Sequence, residues 1–324
     1  MDLFDGLKAK IKGQNRTVVF PEGDDVRIYS AAARLAQDGL VKPILLGDAK
    51  KIVEKASKDD VDLKNVEIIN PDNYSEEEKQ KMVDALVERR KGKNTIEEVL
   101  KMLTDVNYFG TMLVYLHKAD AMVSGAVHPT GDTVRPALQI IKTKPGVKRI
   151  SGAFVMQRNN ERYIFADTAI NIDPDAATLA EIAVESAHTA EIFDIEPKVA
   201  MLSFSTKGSA KGDMVTKVQE ATKLAQEKEP EMEIDGELQF DAAFVPDVGA
   251  SKAPDSKVAG HATVFVFPEL QSGNIGYKIA QRLGHFEAIG PILQGLNAPV
   301  SDLSRGASEE DVYKVAIMTA AQVR

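Results

Sequence analysis

The sequence predicts an α/β protein of about two domains, with mostly parallel strands flanked by helices. Short β-rich runs alternate with amphipathic helical stretches along the chain, which is the pattern of α/β proteins. The length of 324 residues indicates roughly two domains. The alternation breaks at Lys144-Pro145-Gly146, so we place a domain boundary near residues 144–147.

The first half of the chain begins with a predicted strand and a capped helix. Thr17 to Phe20 is apolar and β-rich, and Asp24 or Asp25 caps the Ala-rich helix that follows and stops at Gly39. Three further strands are predicted in this half: Pro43 to Leu46, Val66 to Ile69 and Ala121 to Ser124.

Two helix starts in this half have the spacing of a capping box. Ser75 with Glu78, and Thr95 with Glu98, place a hydroxyl three residues before a glutamate. A basic run, residues 89–93, marks the end of the first of these helices. After the strand that ends at Ser124, a polar loop is expected up to Thr133, followed by a helix from about Val134 to Lys142.

The second half predicts a hairpin and then resumes the alternation. Ile150 to Met156 and Arg162 to Phe165 are strand-like and the polar stretch Gln157 to Asn160 lies between them, which suggests a hairpin, so this part of the sheet is not purely parallel. Asp173-Pro174 opens a long helix, with the aspartate at the cap. The remaining predictions are a strand Lys198 to Ser205, a helix to about Lys228, a strand Thr263 to Phe267, a helix Gly273 to Leu283, a loop Leu296 to Ala307 and a final helix.

The composition excludes several classes of protein. The 40 basic and 49 acidic residues give a net charge of −9, which argues against a general nucleic-acid binder. No apolar run is long enough to span a membrane, and the first twelve residues do not have the pattern of a secretory signal, so we expect a cytoplasmic protein. Cysteine is absent, which excludes disulfides, zinc–thiolate sites and a cysteinyl thioester intermediate.

Three loops that follow strand-like runs combine Gly, Ser or Thr with a cation, which is the composition of an anion site. Glycine lets backbone amides approach an anion, hydroxyls donate to its oxygens, and arginine binds phosphate or carboxylate through two hydrogen bonds. Surface loops are also often rich in Gly and Ser for structural reasons. The loops are Ser124 to Arg135 with His128 and Thr130; Ser203 to Gly212 with Ser205, Thr206, Lys207, Gly208 and Ser209; and Ser301 to Gly306 with Ser304 and Arg305.

Asp311 allows two interpretations. It lies three residues after Ser308, the spacing of a helix cap, and it also lies a few residues beyond Ser304 and Arg305, where an ionised carboxylate could act as a base. Of the five histidines, His128 is the strongest candidate for a function, because it follows a buried strand in a polar loop.

Six long strings, in order along the whole chain, resemble the phosphotransacetylase family in its short form without an N-terminal extension. They are SGAVHPTGDTVRPALQI from Ser124, KVAMLSFSTKGSAKG from Lys198, IDGELQFDAA from Ile234, SKAPDSKVAGHATVFVFPEL from Ser251, SGNIGYKIAQRLG from Ser272 and PVSDLSRGASEEDV from Pro299.

The resemblance implies reversible transfer of an acetyl group between coenzyme A and inorganic phosphate, without a metal or bound prosthetic group. It implies two αβα domains similar to the isocitrate and isopropylmalate dehydrogenase fold, with the active site in the cleft between them. Domain I would comprise residues 1–145 and 297–324, domain II residues 146–296. A homodimer is also implied, with no nucleic-acid or membrane partner.

Site residues carry over from the family's motifs. The Ser-Arg pair falls on Ser304 and Arg305, the catalytic aspartate on Asp311 and a loop arginine on Arg135. A further arginine falls on Arg89 or Arg90: spacing to Thr95 favours Arg89 and spacing from Glu88 favours Arg90. The expected mechanism is direct attack by the CoA thiol in a ternary complex, with Asp311 as base, the arginines on phosphate and Ser304 on the carbonyl oxygen.

Two alternatives differ in substrate or class. A phosphate butyryltransferase would use the same chemistry, since one methylene in a pocket changes binding by only about 1–3 kcal/mol. A metal- and NAD(P)-dependent decarboxylating dehydrogenase would need clustered acidic ligands, and the sequence presents no convincing cluster. A third hypothesis is a non-catalytic protein that binds phosphate or CoA without turnover.

Overall fold

A computed structural model describes residues 3–323, which form two compact units. The first unit combines the chain up to Lys144 with the segment from Leu296 onward, and the second is Pro145–Gly295. The final helix therefore lies in the first unit, a placement that periodicity alone left open.

The strands and helices are numbered along the whole chain. The strands are β1 (Thr17–Phe20), β2 (Lys42–Leu46), β3 (Glu67–Ile69), β4 (Ala121–Ser124), β5 (Ser151–Arg158), β6 (Glu161–Ala166), β7 (Lys198–Leu202), β8 (Glu233–Leu238), β9 (Val264–Val266), β10 (Glu287–Gln294) and β11 (Val300–Asp302). The helices are α1 (Leu3–Ile11), α2 (Val26–Gln37), α3 (Ala49–Lys58), α4 (Glu76–Arg90), α5 (Ile96–Met102), α6 (Val106–Tyr115), α7 (Thr130–Pro136), α8 (Ala176–Ile192), α9 (Asp213–Lys228), α10 (Phe240–Phe244), α11 (Pro246–Lys252), α12 (Leu270–Arg282) and α13 (Glu309–Ala321).

The sheet of the first unit is parallel, in the order β3-β2-β1-β4-β11. Strands β1 and β4 are buried along nearly their whole length, which explains why both are almost continuous apolar runs. Because β1, β4 and β11 run in the same direction, their carboxyl ends open at one edge of the sheet. The residues that follow Phe20, Ser124 and Asp302 therefore meet there.

The sheet of the second unit is mixed, in the order β10-β5-β6-β9-β7-β8. The predicted hairpin is confirmed: β5 pairs antiparallel with β6, and the connection shortens to Asn159-Asn160. Strand β5 is also antiparallel to β10, whereas β6, β9, β7 and β8 are parallel. The aromatic core of the second unit includes Phe165 and Phe265, whose ring centroids are 5.4 Å apart.

Several element boundaries differ from the predictions. The helix expected from Val134 begins at Thr130, and its last turn, Ala137–Ile141, is π-helical. The cap of α8 is Asp175, whose side chain accepts from the amide of Thr178, and not Asp173, whose carboxylate pairs with Lys217 at 2.9 Å. The expected loop from Leu296 to Ala307 contains β11, and strands β8 and β10 were not predicted.

One of the two predicted capping boxes forms completely. At α5 the Thr95 hydroxyl accepts from the amide of Glu98, and the Glu98 carboxylate accepts from the amide of Thr95. At α4 Ser75 caps the amide of Glu78, but the Glu78 carboxylate is drawn away to Lys81 and Lys118. Two ammonium groups compete successfully with a single backbone amide for that carboxylate.

None of the helices within residues 3–323 is both long and apolar enough to cross a membrane.

Candidate active site

The loop after β4 is organised by Glu22, which follows β1. The Glu22 side chain is 1% exposed, and its two oxygens accept the backbone amides of four consecutive residues, Gly125 to His128, at 3.0, 2.7, 2.9 and 3.0 Å. The composition of this loop predicts that these amides face a substrate anion. They bind a carboxylate of the protein instead, because a buried anion needs several donors and this loop supplies them.

Glu22 also orients His128. The Nδ1 atom of the imidazole lies 2.7 Å from Oε1 of Glu22, and the side chain is 31% exposed. A proton on Nδ1 satisfies the carboxylate and leaves Nε2 without a hydrogen-bond partner among residues 3–323. The structure thus presents one ring nitrogen of His128 to a ligand.

A second buried carboxylate, Asp302, lies at the end of β11. Its Oδ2 accepts from the Thr130 hydroxyl at 2.6 Å, whereas Oδ1 has no partner among the described residues. Burial raises the pKa of Asp302 to about 6, with a smaller contribution from the charge of Glu22. Gly125 is required beside it: its φ is +110°, and a Cβ there would lie 2.4 Å from Oδ1 of Asp302.

Two predicted ligands in this unit turn inward. Ser124 is fully buried and donates to Oδ1 of Asn107 at 2.7 Å, so its hydroxyl cannot reach a substrate. The Thr130 hydroxyl is held by Asp302 at the first residue of α7. Both side chains fix the loop and leave ligand contacts to their neighbours.

The structure separates the two arginines between which the sequence could not decide. Arg89 donates through Nε and Nη2 to the carbonyl oxygens of Ile140 and Ile141, at 2.6 and 2.9 Å, so it satisfies the end of the π-helical turn. Arg90 donates through Nε to Asn94 at 2.8 Å, and its Nη1 and Nη2 make no hydrogen bond within residues 3–323. Arg90 therefore keeps the two-nitrogen edge that binds phosphate.

The positive charges of Arg90 and Arg135 both act on the phenol of Tyr108. Burial raises the pKa of the Tyr108 phenol, and the charges of Arg135 and Arg90 both oppose that shift, so both guanidinium groups lie near the phenol. Arg135 is exposed, and the nearest carboxylate oxygen, on Asp132, is 3.9 Å from its Nη1. Arg135, like Arg90, is therefore a guanidinium group that the described residues engage only weakly.

The segment from Leu303 to Ser308 forms a turn whose tip is exposed. The Ser304 hydroxyl accepts from the amide of Gly306 at 3.2 Å, and the carbonyl of Ser304 accepts from the amide of Ala307 at 2.8 Å. Ser304, Arg305 and Gly306 are all exposed. Within the described chain, the Arg305 guanidinium has no hydrogen bond or ion pair, which leaves its full charge for an anion.

Asp311 caps α13 and retains one unused oxygen. Its Oδ2 accepts from the amide and the hydroxyl of Ser308 at 2.8 and 2.7 Å, and the Ser308 hydroxyl accepts from the Asp311 amide at 3.2 Å. Its Oδ1 accepts no hydrogen bond in the part of the chain that the structure describes. The capping and catalytic interpretations of Asp311 are therefore compatible, since each uses a different oxygen.

The predicted loop of the second unit closes on Glu237. The fully buried Ser205 donates to Oε1 of Glu237 at 2.8 Å, and the amide of Gly208 donates to the same oxygen at 2.7 Å. Ser209 accepts from the amide of Thr206 at 3.0 Å. Here too the hydroxyls point into the protein.

The charge of that loop also differs from the prediction. Burial by itself would raise the pKa of Glu237, but hydrogen bonds from Gly208 and Ser205 lower it, so the carboxylate stays ionised. Lys207 is paired with Asp235. An ionised carboxylate and a neutralised lysine make this loop a weaker anion site than its composition predicts.

The sequence analysis missed Glu22 and Asp302 as organising residues. Each stands at or directly after the carboxyl end of a strand of the same parallel sheet, Glu22 after β1 and Asp302 at the end of β11. That position was the available signal, but the burial that gives these carboxylates their role is a tertiary property. Within residues 3–323, no group of three or more His, Asp or Glu side chains could hold a metal ion.

The family is decided by the comparison of the whole chain. Residues 2–320 match the family model described as phosphate acetyl/butaryl transferase. The chain belongs to this family. The resemblance read from the six sequence strings is therefore confirmed.

Curated members of the phosphate acetyl/butaryl transferase family are similar over their full length. A phosphate acetyltransferase of Bacillus subtilis is 60% identical over 321 residues, 99% of each chain. One of Staphylococcus aureus is also 60% identical, over 99% of this chain and 98% of its own.

Solved structures of this family superpose closely. A phosphotransacetylase from Streptococcus pyogenes has a TM-score of 0.96 and 62% identity, covering 99% of this chain and 98% of that one. One from Staphylococcus aureus has a TM-score of 0.94 and 60% identity, covering 100% and 98%. The mixed α/β fold with a large, mostly parallel sheet flanked by helices is thus the fold of phosphotransacetylases.

Proposed function

We propose that this protein is a phosphate acetyltransferase, which transfers an acetyl group reversibly between coenzyme A and inorganic phosphate. Full-length relatives at 60% identity are phosphate acetyltransferases. The single structural observation that carries the proposal is the segment 304–311. Within eight residues it holds an exposed hydroxyl, a guanidinium without a partner in the described chain, and a carboxylate of which one oxygen accepts no hydrogen bond there.

The reaction needs a thiolate and a stabilised leaving group. The sulfur of CoA attacks the carbonyl carbon of acetyl phosphate, the S–C bond forms, and phosphate leaves with the electron pair of the broken C–O bond. Oδ1 of Asp311 accepts the thiol proton. The pKa of an ordinary aspartate lies several units below that of a thiol, so Asp311 cannot hold the thiol proton by itself. The proton is therefore removed as the sulfur attacks the carbonyl carbon.

Phosphate carries most of the charge, and arginines hold it. Arg305, Arg135 and Arg90 provide guanidinium groups that are largely unused among residues 3–323. Ser304 donates its hydroxyl hydrogen to the carbonyl oxygen as that oxygen becomes an oxyanion. His128, held by Glu22 through Nδ1, presents its Nε2 to the bound substrate.

The transfer is direct, in a ternary complex. The chain has no cysteine, so a cysteinyl thioester relay is excluded. The Glu22–His128 pair has the arrangement that activates a serine, but within residues 3–323 no hydrogen bond joins His128 to Ser304. That geometry favours a donor role for Ser304 over a nucleophilic one.

The finer parts of the fold and assembly prediction stay predictions. They are a likeness to the isocitrate and isopropylmalate dehydrogenase fold, an active site in the cleft between domains, a cytoplasmic location and the absence of a bound cofactor. We further propose that the enzyme is a homodimer. Helix α12 supports this, because Ile275, Ile279 and Leu283 are 55%, 53% and 78% exposed and are spaced to share one helix face.

The test is thioester formation from CoA and acetyl phosphate without added metal, with butyryl phosphate in parallel. Rapid turnover of the acetyl donor is expected. Faster turnover of the butyryl donor would keep the chemistry and change the substrate. If the folded protein forms no thioester from either donor, the proposal is contradicted. The dehydrogenase and the non-catalytic binding protein are then the hypotheses to test.

A further inference from the structure

Arg27, the second residue of α2, uses every donor of its guanidinium group. Nε and Nη2 donate to the two oxygens of Asp25 at 2.9 and 2.8 Å. Nη1 donates to the carbonyl oxygens of Arg305 and Ala307 at 2.9 and 3.0 Å, and Nη2 donates also to the carbonyl oxygen of Ala126 at 2.9 Å. A guanidinium has five N–H groups, and all five are accounted for.

These bonds join three chain segments that follow parallel strands. Asp25 belongs to the segment after β1, Ala126 to the loop after β4, and Arg305 and Ala307 to the turn after β11. The ion pair with Asp25 fixes the plane of the guanidinium group, so its other edge points at the carbonyl oxygens. The side chain is 24% exposed, which is consistent with a group enclosed by its own partners.

The 304–306 turn has few other restraints. Its three residues are exposed, and two hydrogen bonds hold it locally: the amide of Ala307 donates to the carbonyl of Ser304, and the amide of Gly306 donates to the Ser304 hydroxyl. The neighbouring anchor is the amide of Leu303, which donates to the carbonyl of Ser124 at 2.7 Å. Between that anchor and the cap of α13, Arg27 supplies the two bonds that tie this turn to α2.

We infer that Arg27 is a positioning residue for acetyl transfer: it holds the 304–308 backbone so that Ser304, Arg305 and Asp311 face the substrates together. This inference rests on the proposed role of that segment. Arg27 does not bind phosphate itself, because no N–H group remains to donate. Lysine cannot replace it, since one ammonium has three hydrogens and cannot span acceptors on three segments.

The first test is Arg27→Lys, which keeps the charge and loses the fork. We expect kcat to fall about 10- to 100-fold, because a misplacement of catalytic groups by about 1 Å has an effect of that size. The KM for acetyl phosphate should change less than kcat, since Arg135 and Arg90 still bind phosphate. A kcat equal to that of the wild type would overturn the inference.

The second test is chemical rescue of Arg27→Ala. Guanidinium ion at a low, non-denaturing concentration should raise kcat of this variant severalfold, because Asp25 and the three carbonyl oxygens form its binding site. Urea and methylammonium at the same concentration should not. If this variant does not fold, Arg27→Lys alone decides.

Arg34→Lys is the matched control. Arg34 lies on the same helix as Arg27 and contacts α13, through Glu310 at 2.5 Å and the ring of Tyr313 at 3.7 Å, but it makes no hydrogen bond to the 304–308 backbone. Both variants should lower the melting temperature, and only Arg27→Lys should lower kcat strongly. An equal loss of kcat in both would show a general packing effect and contradict the inference.

Variants of the turn separate this inference from the proposed function. Ser304→Ala and Arg305→Lys should both lose activity if the segment carries the reaction. Full activity in both would place the active site elsewhere and remove the basis of the inference. If both turn variants lose activity and Arg27→Lys keeps the wild-type kcat, the proposed function holds and only the positioning role of Arg27 is rejected.

Discussion

Buried carboxylates shape the loops of this protein residue by residue. Glu22 accepts four consecutive amides, and Asp167 accepts the amides of Gly152, Ala169, Ile170 and Asn171 at 2.8 to 3.1 Å. In the loop after β7, Glu237 accepts one amide, from Gly208, and the hydroxyl of Ser205. The composition of these loops predicts that their amide hydrogens bind a substrate anion, but the amides donate to carboxylates of the protein. The exposed guanidinium groups therefore remain to bind phosphate.

Asp302 should make stability depend on pH. Burial raises its pKa from 3.8 to about 6, so the folded state binds the proton more tightly than the unfolded state does. The stabilisation is complete below the unfolded value and is lost as pH rises through about 6. Relative to Asp302→Asn, the wild type should lose at most about 3 kcal/mol of unfolding free energy between pH 4 and 6. Urea unfolding of both proteins measures this, and a pH-independent difference would contradict it.

Arg90 and Arg89 should separate in kinetics and in stability. Arg90→Ala should raise the KM for acetyl phosphate about 10- to 150-fold, since it removes a charged hydrogen-bond donor of about 1.5–3 kcal/mol. Arg89→Ala should instead lower the unfolding free energy, because two carbonyl oxygens lose their donor. Steady-state kinetics and urea unfolding on both variants test this, and the reverse pattern would assign the phosphate to Arg89.

At the scale of elements, the side chain of Asp311 both caps helix α13 and belongs to the candidate active site. The Ser308–Asp311 box stabilises the first turn, and the same turn presents the second oxygen of Asp311. The helix N-terminus favours the ionised carboxylate that a base requires. Local sequence rules found the cap, and they could not show that half of the carboxylate remains unused.

Asp311→Asn and Ser308→Ala should divide these two roles. The amide of Asp311→Asn can still accept at the cap, so stability should change little while kcat falls about 10²- to 10⁴-fold. Ser308→Ala should lose about 0.5–2 kcal/mol of stability and keep most of its activity. Full activity of the Asp311→Asn variant would show that Asp311 caps the helix and takes no part in catalysis. Thermal unfolding and turnover on both variants give the answer.

At the scale of the whole molecule, the apolar stripe on α12 predicts the oligomeric state. Ile279→Lys places a charge in the centre of the stripe, and it should convert a dimer to a monomer in size-exclusion chromatography with light scattering. Val53→Lys, at an equally exposed apolar position of α3, should stay dimeric. A wild-type monomer, or a dimeric Ile279→Lys, would reject α12 as the interface.

Sequence by itself determined the elements whose cause is local. The apolar runs of β1 and β4, the hairpin of β5 and β6 and the cap at Thr95 follow from residue types at short spacing, and six strings determined the family. Strands β8 and β10 were missed because Asp235-Gly236 and Gly290-Pro291 interrupt the patterns that mark a strand.

Tertiary structure decided which polar groups remain for a substrate. Whether an amide, a hydroxyl or an arginine is unused depends on what the fold brings beside it, as Glu22 brings a carboxylate to Gly125 and Ile140 brings a carbonyl to Arg89. These partners lie 103 and 51 residues apart in the chain. Spacing along the sequence cannot reveal them, because a buried polar group takes its partner from space and not from its neighbours in the chain.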